Sequence, residues 1–130
     1  MNPVYGPTNP NPDAHQQAAR RYVQVVELKP EREAEYREMH AEVWPKVVAA
    51  VKRANISNYS IHLMALGEKK YLVAYFEYTG KDPEADFATI AQDPTTRDKW
   101  WPITDDCQVR LAGTPDGEQW KRAEMVMHLP

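Results

Sequence analysis

The order of apolar and polar positions divides the chain into short elements. Residues 22–28, YVQVVEL, alternate and are rich in β-branched side chains, which predicts a strand closed by Lys29-Pro30. The next 25 residues, EREAEYREMHAEVWPKVVAAVKRAN, change to a helical period. Tyr36, His40, Val43 or Trp44, Val47 and Val51 fall on one stripe. Glu31 and Glu33 suit the positive end of that helix, and Lys52 and Arg53 its negative end. Pro45 lacks an N–H and clashes with the preceding turn, so the helix is expected to kink or restart there.

Two strand patterns follow, ISNYSIHLMAL (56–66) and KYLVAYFEYTG (70–80), joined by a short turn at 67–69. Helical pieces are expected over 82–101, punctuated by Asp82-Pro83 and Asp93-Pro94 and ending in KWWP. Residues 102–119 read as irregular connection, and AEMVMHL (123–129) as a last strand. The order β-α-β-β-α-β predicts an α+β, ferredoxin-like fold, an antiparallel sheet with helices on one face. Tyr59, Ile61 and Leu63 then share one side of their strand, opposite Asn58, Ser60, His62 and Met64. The following strand is apolar on both sides, which a solvated face would not be. Two helices cover one face only, so the expectation is a homodimer packed sheet to sheet as a dimeric α+β barrel.

Composition narrows the class. The chain has 130 residues, 42% hydrophobic and 27% charged, enough for one modest core. Four prolines in the first twelve positions mark residues 1–20 as a flexible N-terminal tail, His15 included, leaving 21–130 as the single domain. The net charge of −3 with interspersed signs gives no basic patch, so nucleic acid is not an expected partner. No apolar run approaches the roughly 20 residues that span a bilayer, so neither is a membrane. One cysteine, Cys107, and no secretory layout fit a reducing, cytoplasmic setting. Cys107 itself reads as a small packed apolar residue.

The chemistry concentrates around His40. It lies on the apolar stripe and is aimed at the sheet, on the side where Tyr59 is expected, with Trp100 and Trp101 ending the second helical region there. Tyr36, His40, Tyr59, Trp100 and Trp101 therefore form either a packed core edge or a carbohydrate pocket. A sugar offers a C–H face that stacks on rings and hydroxyls that need polar partners. Trp44 reads as packing, with Pro45 shaping the bend around it. His62 and His128 read as polar strand residues or dimer contacts, and Asp105 as a loop residue close enough to approach the pocket. No H-x-x-x-H spacing, second cysteine or clustered glycines suggest a metal or phosphate site.

In order, EYREMHAEVWP, NYSIHL, DKWWPITD and the terminal HLP resemble the L-rhamnose mutarotase family over about residues 21–130. The resemblance implies a ferredoxin-like dimer that interconverts the α and β anomers of L-rhamnose without a cofactor. It casts His40 as the proton donor and Tyr36, Tyr59, Trp100 and Trp101 as sugar-binding residues. The stretch ITDDCQVRLAGTPDGEQWKR departs from the asparagine- and proline-rich loop of the rhamnose enzymes, which leaves L-fucose open as a substrate. Two other readings stay open: a cofactor-free monooxygenase of the same dimeric fold, and a non-catalytic sugar-sensing dimer.

Overall fold

The alternating segments become β1 (Arg20–Leu28), β2 (Ile56–Leu66) and β3 (Lys69–Tyr78) of one antiparallel sheet. The computed structural model describes residues 4–9, 11 and 20–130; most of the expected N-terminal tail, His15 included, lies outside them. Strand order is β2-β3-β1-β4, with β4 (Gln108–Val109) and β5 (Lys121–Ala123) both pairing with β1. Helices α1 (Glu33–Ala41) and α2 (Pro45–Arg53) lie between β1 and β2, and α3 (Pro83–Ala88) and α4 (Trp101–Asp106) follow β3. This is the ferredoxin-like α+β arrangement that the element order predicts.

Pro45 divides the long helical pattern as expected. Trp44 is extended, with ψ at 136°, as a residue before proline prefers, and α2 restarts with Pro45 in its first turn. The C-terminal end of α2 is closed by Asn55 in the left-handed region, at φ 63°.

Alternation in β1 and β3 separates core from outer face. Val26, Leu28, Leu72, Ala74, Phe76 and Tyr78 are buried beneath the helices. Register pairs Tyr22 with Phe76, Gln24 with Ala74 and Val26 with Leu72, so Gln24 also faces the helices. One core cluster holds Val26, Leu28, Tyr36, Leu72 and Cys107; a second holds Ala54, Ile56 and Phe76, with Tyr22 and Phe87 packed against it. Cys107 is fully buried, as its apolar reading requires.

A bulge interrupts β2. Ser57 pairs with Glu77 and Ser60 with Tyr75, so β2 carries one residue more than β3 across the gap. Asn58 absorbs it at φ 47°, a conformation asparagine tolerates better than most residues, and its side-chain amide donates to Glu77 at 3.0 Å. Ile56 and Tyr59 therefore share the helix side although three positions apart, and the Tyr59 ring stacks on Phe76 at 5.3 Å.

Two expectations are corrected. Residues 102–119 are not uniformly irregular, because the helix carrying the tryptophans continues. Asp93 caps it, accepting from the Thr96 backbone N–H and hydroxyl at 2.9 and 2.7 Å, and it runs through a wide π turn (Thr96–Trp100) into α4. Pro102 sits in the first turn of α4, where its missing N–H costs little. The last strand is also shorter and earlier than 123–129. Pairing with β1 covers only Lys121–Ala123, opposite Val25 to Val23, and stops there although β1 continues to Arg20. Beyond β5 the backbone N–H of His128 donates to Thr8 O at 2.6 Å instead.

Candidate functional site

Helix α1 presents Tyr36 and His40 one turn apart on the face toward the sheet. Their rings stack at 4.0 Å and 15°. The His40 Nδ1 lies 2.8 Å from the Tyr36 backbone oxygen. That oxygen only accepts, so Nδ1 must carry the proton, and in the neutral ring Nε2 keeps a lone pair. Among the described residues no hydrogen-bond partner occupies Nε2. Burial disfavours the imidazolium and holds the pKa below the usual 6.5, although the bond to the Tyr36 carbonyl acts in the opposite direction.

Trp100 closes the other side. It is buried, its ring lies 5.2 Å from His40, and Trp44 meets it edge to face at 4.9 Å. Trp44 thus serves as the packing residue its position suggests. Trp101 is half-buried at the start of α4, with no ring contact among the described residues. The helices bearing these groups are tied at their ends: the Arg32 guanidinium, before α1, bonds Asp106 at the end of α4 and Glu35 in α1. Such exposed pairs contribute little stability singly but set the relative position of the helices.

Tyr36 is buried, and burial is the largest cause raising its phenol pKa, with repulsion between the two phenolates, were Tyr59 also ionised, adding to it. Its hydroxyl oxygen accepts from the Gln108 side-chain amide at 3.4 Å. Tyr59 reaches the site differently. Its residue is 40% exposed, yet its hydroxyl is desolvated, and nearby Gln24 acts in the opposite direction on its pKa. Burial there pushes the Tyr59 phenol up to about 12. Both tyrosines are consequently protonated at neutral pH.

The structure therefore brings Tyr36, His40 and Trp100 into direct contact. Tyr59 couples to Tyr36 from the sheet, and Trp101 flanks the group without touching its rings. Asp105 has an exposed side chain with no hydrogen-bonded or charged partner among the described residues, and partial desolvation raises its pKa. His62 is exposed and bonds Ser60, away from the helix side. A shallow groove of about 470 Å³ behind α1 is lined by Glu35, Glu38, Met39, Glu42, Trp44 and Pro45, and none of the five expected site residues lines it. Among the described residues no group of three or more His, Cys, Asp or Glu gathers as a metal site.

Three glutamines escape the sequence reading. Gln24 carried a signal: it is the one amide on the inward parity of β1, between Tyr22 and Val26. Gln108 and Gln119 lay in a stretch without periodicity and carried none.

Comparison with known proteins agrees with this architecture. The family model described as L-rhamnose mutarotase matches residues 21–129. A Mesorhizobium japonicum L-rhamnose mutarotase is 46% identical over 43 residues, which is 33% of this chain and 41% of that relative, less than half its length. A Rhizobium johnstonii L-rhamnose mutarotase is 29% identical over 106 residues, 81% of this chain and 92% of that relative. The solved L-rhamnose mutarotase of Formosa agariphila covers 85% of this chain and 99% of its own, at a TM-score of 0.57 and 20% identity, a likeness of fold.

Fold and family match together define an isomerase built on a ferredoxin-like α+β scaffold. The chain belongs to the L-rhamnose mutarotase family. No helix among the described residues is long and apolar enough to cross a membrane.

Proposed function

We propose that this chain interconverts the α and β anomers of a 6-deoxyhexose, L-rhamnose or a close relative such as L-fucose, with His40 as the proton carrier. The observation that carries the reading is the fixed tautomer of His40. A backbone carbonyl holds Nδ1–H, a phenol ring supports one face, Trp100 stands beside it, and Nε2 is left bare.

Ring opening removes the proton from the anomeric hydroxyl and adds one to the ring oxygen. Neutral His40 takes the first at Nε2. A hydroxyl, Tyr59 or Tyr36, the Asp105 carboxyl or a water molecule supplies the second. The aldehyde then rotates, and closure runs the same transfers backward on the other face. The imidazolium formed in opening now gives its proton to the carbonyl oxygen, the donor role implied by the family resemblance. Tyr36 and Tyr59 bond the sugar hydroxyls, and Trp100 and Trp101 wall its apolar face. A positioned acid or base is worth about 10²–10⁴-fold, which suffices for a reaction that free sugars already undergo in water.

The test is saturation-transfer NMR of L-rhamnose, L-fucose and D-glucose with the protein at catalytic concentration. Anomer exchange no faster than in buffer for all three ends the proposal. The pH profile follows from the His40 shift. A pKa below 6.5 makes the neutral form dominant at pH 7, so the catalysed rate, corrected for buffer, stays flat near neutrality. It falls as pH drops through that lowered pKa. A rate that instead falls as pH rises through the same range makes the imidazolium the starting form.

The outer sheet face motivates a homodimer. Val23, Val25, Tyr71, Val73 and Tyr75 have the parity opposite to the buried side chains, and Met64 is 44% exposed beside them. Light scattering after gel filtration is expected to give twice the chain mass, and Val73→Lys, which puts a charge in that face, to give one chain mass. A wild-type mass of one chain rejects the assembly.

A further inference from the structure

A directional amide chain runs from the loop that departs from the family pattern to the Tyr36 hydroxyl. Gln119 Nε2 donates to the Asp105 backbone oxygen at 3.5 Å and to Gln108 Oε1 at 3.1 Å. Gln108 Nε2 in turn donates to the Tyr36 hydroxyl at 3.4 Å. A backbone carbonyl accepts and never donates, so the end of Gln119 that faces it must be the NH₂. The end of Gln108 that faces this NH₂ must be its oxygen. Its own NH₂ is then the end that meets Tyr36. The polarity of the chain is set by Asp105 O, and no amide in it is free to flip without losing a bond. Gln108 is 6% exposed, so water does not compete for its bond to Tyr36, whereas the Gln119 bond to Asp105 O lies at the surface.

The consequence falls on the phenol. Its oxygen receives a proton from Gln108, and no acceptor among the described residues takes its own. We propose that Gln108, oriented by Gln119, is a positioning residue that fixes the Tyr36 hydroxyl as a hydrogen-bond donor to an acceptor oxygen of the sugar. The inference rests on the sugar-isomerase reading above. It assigns a role in substrate binding to two glutamines of the 102–119 connection, where only Asp105 was expected to approach the site.

Three variants test it: Gln108→Met, Gln108→Glu and Gln119→Leu, each checked for folding by near-UV circular dichroism. Gln108→Met removes the donor and raises KM for the preferred deoxyhexose about 2–10-fold, more than it lowers kcat. Gln108→Glu reverses the polarity, because a carboxylate accepts the Tyr36 proton. Its KM at pH 7.5 exceeds that of Gln108→Met and recovers as pH falls and the carboxylate becomes a donor again. Gln119→Leu, nearer the surface, shifts KM in the same direction by less. A wild-type KM in Gln108→Met and Gln119→Leu overturns the proposal, as does a Gln108→Glu defect that is independent of pH. A readout without sugar separates this idea from the enzymatic reading. The ¹³Cζ resonance of Tyr36 responds to whether its hydroxyl donates or accepts, and is expected to move between wild type and Gln108→Glu. An unmoved resonance overturns the amide chain even if the protein is an active mutarotase. A moved one upholds the chain even if the wild type leaves every sugar tested unchanged.

Discussion

His40→Ala is expected to remove at least about 10²-fold of the catalysed anomer exchange while leaving the fold intact. The ring is half-buried rather than central to either core cluster, so the loss of packing is modest. What disappears is the bare Nε2, held in place by the Tyr36 carbonyl and supported by the Tyr36 ring. No neighbouring group replaces it. The phenols of Tyr36 and Tyr59 hold their protons far too tightly at neutral pH to serve as the base. Saturation transfer on the preferred sugar, with circular dichroism as the folding control, reads the result. A folded His40→Ala protein that exchanges anomers at the wild-type rate sinks the assignment.

The second large effect is expected in stability. Trp100→Ala empties a buried position between His40 and Trp44 and should cost about 3–5 kcal/mol, the usual range for a buried tryptophan. A small domain has only about 5–15 kcal/mol in total, so this variant stands near the threshold of unfolding at 37 °C. Trp101→Ala provides the contrast. That ring is half-buried and contacts no other ring among the described residues, so its loss should cost about 1 kcal/mol or less while weakening sugar binding. Urea midpoints for the two variants decide the matter. Equal destabilisation would deny that these adjacent indoles have separate tasks.

Much of this was legible in the chain because it depends on local periodicity. The four-residue spacing of Tyr36 and His40 forces them together on any helix, and Pro45 can do little but break that helix. Alternation put Tyr59, Ile61 and Leu63 on one side of their strand, and the fold turns that side to the helices. What the pattern could not convey depends on partners distant in sequence. The last strand pairs with β1 only over Lys121–Ala123, and nothing local in AEMVMHL marks where that pairing stops. The continuation of the helix through Pro102 depends on a π turn and on Asp93 capping it, where a proline in the sequence argues for an end. Gln108 meets Tyr36, and Gln119 meets Gln108, across contacts 72 and 11 residues apart in the chain. Side-chain amides in an aperiodic stretch announce nothing until the fold supplies an acceptor.

The extra residue at Asn58 reaches beyond this molecule. It works as a phase shift, so that Ile56 keeps time with the core while everything from Tyr59 onward follows the opposite beat. If the strand ran through Asn58 without the bulge, the phenol, Ile61 and Leu63 would swing together to the far side of the sheet; deleting Asn58 would instead leave them on the helix side, in an unbroken ladder. Anyone transplanting this strand into another scaffold must carry the bulge together with Asn58, or leave both behind.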